Sequence, residues 1–101
     1  MNMTRKGDRI VARQIMSILE QNKGYGLRFN EIYKTLIEMG CFHFQGPISN
    51  NLTFLIEQGK IVRIQPDARP RYGIPKTRED GTRYIIVKGS GVKDKIVELG
   101  K

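Results

Sequence analysis

The chain reads as an α+β domain: three short helices in its first 58 residues, then strand-forming runs divided by turn residues, then a short C-terminal helix. Three observations carry this. Apolar residues recur three times at helical spacing, and each stretch is closed by a glycine, at Gly24, Gly40 and Gly59. Residues 60–65 and 82–88, KIVRIQ and TRYIIVK, are rich in β-branched and aromatic side chains. The length, 101 residues, is enough for one core and too little for two.

Residues 1–7 are polar and basic and read as a flexible arm ahead of a domain spanning 8–88, with 89–101 as a C-terminal helix or tail. Asp8 is placed to cap a helix over 9–23, in which Val11, Ile15, Ile18 and Leu19 form an apolar stripe. A very short strand fits at 26–29. Asn30 then caps a helix over 31–39 whose buried face is Ile32, Leu36 and Ile37. The connector 41–46 has a length compatible with a helix-turn-helix, and its Phe42 and Phe44 are expected to plug the core.

The most informative stretch follows, PISNNLTFLIEQGKIVRI at 47–64. Proline suits a first helical turn, and Gly59 supplies the left-handed residue that ends one, which bounds a helix at 47–58. Ile48, Leu52, Leu55 and Ile56 recur at i, i+4, i+7 and i+8 and so share a core-facing stripe. Gln45, Ser49, Asn50 and Thr53 fall away from that stripe, and Asn51 lies toward its flank. Glu57 is the single formal charge from 47 to 58, so the outward face is neutral and polar.

Between the strand runs lie about sixteen residues with Pro66, Pro70 and Pro75, long for a hairpin loop of roughly two to five residues. Asp80-Gly81 is a tight-turn dipeptide, so 76–83 can itself form a hairpin tip, and 71–74 can form an extra strand. Beyond the glycines at 89 and 91, Val92, Ile96 and Leu99 have the spacing of a two-turn amphipathic helix.

Eighteen Lys and Arg against ten Asp and Glu leave a net charge of +8 and a pI near 9.9, the range of proteins with polyanionic partners. The charge sits on the flanks. Residues 1–28 carry six basic and two acidic groups and 60–83 carry seven and three, whereas 29–59 carry one and three. No run approaches the roughly 18 apolar residues of a membrane span, and the N-terminus has no apolar signal-peptide core. A cytoplasmic, nucleoid-associated protein is expected. One cysteine, Cys41, makes no internal disulfide, and with one histidine the chain offers no Cys/His zinc site. Cys41 and His43 stand two apart, but no oxyanion or phosphate-loop motif accompanies them, so neither catalysis nor a cofactor is expected.

Helix, helix, helix, then strands around a basic loop is the order of the winged helix-turn-helix superfamily, and the likeness reaches individual residues. ISNNLTFLIEQGKIVRI resembles the S-x-x-L-x-x-L-x-x-x-G-x-I/V signature of MarR-like, ArsR-like and PadR-like regulators, through Ser49, Leu52, Leu55, Gly59 and Ile61 or Val62. RYIIVKGSGVKDKIVEL is similar to their wing-strand and terminal-helix ending. The long dimerisation helices and the metal-ligand cysteines found among those regulators have no counterpart here.

That resemblance implies a three-helix core with a two-stranded, or extended, β wing, and a protein that binds double-stranded DNA, a transcriptional regulator by expectation and a candidate homodimer. Helix 47–58 would enter the major groove with Gln45, Ser49, Asn50, Asn51 and Thr53 toward the bases, where an Asn amide can pair bidentately with adenine. Arg69, Arg71, Lys76 and Arg78 on a basic wing at 66–82 would meet phosphates or the minor groove, and Arg5, Lys6, Arg9 and Arg13 would add backbone contacts. The alternative is a protein-interaction or architectural winged helix within a larger nucleic-acid complex.

Overall fold

In the computed structural model, which describes residues 8–89 and 93–100, Asp8 caps the first helix as its position requires. Its carboxylate accepts the backbone N–H groups of Ile10 (2.9 Å) and Val11 (3.3 Å), two of the orphan donors at a helix start. Helix α1 spans Arg9–Gln21, and its stripe Val11, Ile15, Ile18 and Leu19 is buried. Strand β1, Leu27–Arg28, runs directly into helix α2, Phe29–Glu38. The cap of α2 is therefore Arg28 and not Asn30, with the Glu31 carboxylate accepting the Arg28 backbone N–H at 2.8 Å. Ile32 and Leu36 are buried, while Ile37 is exposed.

Helix α3 spans Gln45–Glu57 and so begins two residues before Pro47. Proline is tolerated there because the N–H groups of a first turn have no intrahelical partner in any case. Ile48, Leu52 and Leu55 are buried against α1 and α2, and with Ile61 they complete the main core. Phe42 and Phe44 do not join it. They are 77% and 85% exposed, because the helical stripes already fill the space between the three helices.

The remaining strands are β2 (Val62–Ile64), β3 (Arg71–Gly73), β4 (Lys76–Thr77), β5 (Arg83–Val87) and β6 (Lys95–Gly100). They make two three-stranded antiparallel sheets, ordered β1-β3-β2 and β4-β5-β6. Residues 71–73 are thus the extra strand, and 76–83 a separate hairpin closed at Arg78–Thr82. The run of sixteen residues is no single wing. The loop 65–70, between β2 and β3, is a separate hairpin loop held against the start of α2.

At 95–100 the expected helix is a strand. β5, RYIIV, would otherwise leave one edge open, and β6 closes it over Ile85↔Val97, Ile86↔Ile96 and Val87↔Lys95. Val97 and Leu99 thereby pack beside Ile64, Ile85 and Val87 in a second small core. An isolated two-turn helix is marginal, whereas a ladder on a β-branched strand gains a hydrogen bond and a packed pair at most steps.

The two sheets meet where the chain leaves α1. Gly24 donates to Ile74 O and Gly26 to Ile86 O, both at 2.9 Å, and Ile86 N donates back to Gly24 O. Gly73 makes this closeness possible, since a Cβ there would lie 2.6 Å from the Tyr25 carbonyl oxygen.

Candidate nucleic-acid interface

The outward residues of α3 divide by burial. Gln45, Ser49 and Asn50 are exposed, and Thr53 is half-buried with its hydroxyl donating to Ser49 O at 3.2 Å. Asn51 departs from its expected place. It is 2% exposed and its Nδ2 donates to the Pro47 carbonyl at 2.8 Å, inside the helix–core contact. One step of 100° from Asn50 is enough to carry it into the buried stripe of Ile48, Leu52 and Leu55, so it cannot reach a base.

The basic residues divide likewise. Arg69 is exposed on loop 65–70. Arg71, expected beside it on the surface, is 6% exposed: strand alternation turns it inward, where Nη1 donates to Gly26 O at 3.2 Å and Nη2 stands 3.6 Å from the Asp67 carboxylate. Lys76 lies on β4 and Arg78 just beyond it, in the hairpin of the second sheet and not in loop 65–70. Arg78 is engaged there, with Nη1 2.6 Å from Glu98 Oε2 and its guanidinium 5.0 Å from the centre of the Tyr84 ring. Arg9 and Arg13 are exposed on α1, where with Lys60 they edge an open groove floored by Ala12, Met16 and Phe54, of about 580 Å³. Arg5 and Lys6 lie outside the described residues.

Loop 65–70 is held by its one acid. Asp67 accepts the Arg69 backbone N–H at 3.1 Å and an Arg28 Nη2 donor at 2.9 Å, tying the loop to the start of α2. The Arg69 backbone N–H, followed by the Arg28 and Arg71 guanidinium groups, holds the Asp67 carboxyl below the ordinary value of 3.8, against partial desolvation. Asp67 and Arg69 then cancel within the loop, leaving it formally neutral. Arg63, exposed on β2, is a cation of this region that the sequence reading passed over. Its signal was present in the alternation of KIVRIQ, which turns Arg63 away from the buried Ile64.

Three helices followed by a β-hairpin that pairs with the short strand between the first two define a winged-helix fold. A solved structure of the ferric uptake regulator from Francisella tularensis, determined with iron, superposes on the whole chain with a TM-score of 0.66 at 18% identity, over 73% of that protein's chain. No family model matches the sequence, and no curated protein matches it. The likeness supports the winged-helix fold in general and not the MarR-like, ArsR-like or PadR-like families in particular. Among the described residues no group of three or more His, Cys, Asp or Glu gathers to hold a metal ion, so these residues do not fit the iron of that structure. No described helix is long and apolar enough to cross a membrane.

Proposed function

We propose that the protein is a double-stranded DNA-binding transcriptional regulator that lays α3 in the major groove and sets loop 65–70 on the adjacent backbone. The observation that supports this best is the pairing of a helix whose exposed residues from Gln45 to Thr53 are uncharged and mostly polar with cations on other elements of the fold. Gln45, Ser49, Asn50 and Thr53 can exchange hydrogen bonds with base edges, while Arg9, Arg13, Arg63 and Arg69 attract phosphates without sequence preference. A single helix reads few base pairs. Two copies acting on half-sites about 34 Å apart would enlarge the site, and the outer edge of β6 is a surface that could join them.

Titration of short duplexes at about 50 and 200 mM salt tests the reading. Binding should weaken steeply with salt. Arg69→Ala should flatten the slope of log K against log salt by about 0.9, one phosphate contact, while leaving stability unchanged. Arg71→Ala should instead destabilise the fold, by about 2 kcal/mol, through the buried Gly26 carbonyl it abandons. A duplex affinity indifferent to salt would remove the proposal.

A further inference from the structure

Resting on that reading, we infer that Phe44, supported by Phe42, is a specificity residue that recognises the C5-methyl group of thymine in the major groove. Large apolar side chains left almost fully in water are unusual on a folded domain, and two of them here flank one anchored residue. His43 lies between them with its ring nitrogen Nε2 2.6 Å from Gln14 Oε1 on α1. In the extended connector 41–44 successive residues face opposite ways, so fixing His43 inward presents Phe42 and Phe44 outward together.

Phe44 is also the N-cap of α3 and makes no side-chain cap to the helix. The N-terminal residues of a helix laid in the major groove come nearest the bases. A phenyl ring at that point has no hydrogen bond to offer, and the apolar group that base edges present in this groove is the thymine methyl. Charge agrees with this assignment. Residues 39–56 carry no Lys, Arg, Asp or Glu, within a chain of net charge +8. A polyanion held through the surrounding cations would therefore meet a neutral, aromatic tip where its bases lie, and not where its phosphates lie. The polar face of α3 and this tip divide the reading between hydrogen bonds and methyl contact.

The experiment selects duplexes from a random-sequence library with the full chain, then replaces each thymine of the selected site by deoxyuridine, which removes the methyl alone. For the wild-type chain at least one replacement should weaken binding by about fourfold, the worth of one buried methyl. In Phe44→Ser that sensitivity should disappear while binding to unselected DNA persists, and Phe42→Ser should reduce it. Both side chains are exposed, so circular dichroism and melting should be unchanged in either variant. Binding that is indifferent to every thymine methyl overturns the inference and leaves the DNA reading standing. Failure to retain any duplex overturns both, and loss of self-association in Phe42→Ser/Phe44→Ser would then assign the aromatic pair to a protein contact.

Discussion

At the scale of single residues, neighbours in sequence have opposite fates. Asn50 and Asn51 share composition, charge and helix, yet one faces solvent and the other is sealed against the core with its amide turned to Pro47 O. Asn50→Ala should erode preference for a selected duplex over random DNA with little change in melting. Asn51→Ala should do the reverse, lowering stability by about 1 kcal/mol in urea unfolding while preserving discrimination. Arg69 and Arg71 also part, because Arg69 lies on loop 65–70 while Arg71 opens β3 with its side chain turned inward. A period of two would have put both arginines on one face, so what separates them is that the strand begins only at Arg71. The Asn pair straddles the margin of the stripe, where one step of about 100° changes the outcome.

At the scale of elements, the decisive piece is loop 65–70, and what shapes it is an acid within a basic segment. Asp67 gathers the Arg69 backbone N–H and the Arg28 guanidinium, so the loop is fixed to α2 before any partner arrives. A carboxyl whose folded value is depressed contributes stability above its unfolded value, and that contribution is lost as pH falls through the folded one. The fixing of the loop should therefore be complete near neutral pH and fade in the acid range below about 3.8. Arg28→Ala should raise the Asp67 value toward 3.8, followed by NMR titration of the carboxyl, and should increase amide exchange in 65–70. Helices α1, α2 and α3 were legible to within a few residues because each carries a full stripe and a glycine stop. The strand β6 was not, because Val92, Ile96 and Leu99 fit a helix by spacing, and the partner that makes 95–100 a strand is twelve residues away in sequence at β5.

At the scale of the whole molecule, the two sheets turn one winged helix into a two-core body. The helical core and the smaller cluster of Ile64, Ile85 and Val87 are joined by the backbone bonds of Gly24 and Gly26. Removal of residues 89–101 should therefore do more than trim a tail. It strips Val97 and Leu99 from the second core and exposes the β5 edge, so the truncated chain should melt earlier and aggregate on heating, seen by calorimetry and light scattering. A truncation with unchanged melting would contradict a structural role for β6. If β6 also joins two copies, the truncated protein should have the mass of one chain where the full one has that of two.

The sequence by itself determined the local facts: that three helices form and where each ends, most of the residues they bury, and that the cations of the chain flank its third helix. Those follow from interactions within a few turns, which periodicity and capping record. Tertiary structure alone decided which strand pairs with which, that the long basic segment is two hairpins and not one wing, that Arg71 and Asn51 turn inward, and that Phe42 and Phe44 turn outward. Each of these depends on partners far along the chain and on how much room the helical core leaves, and neither is encoded in local spacing.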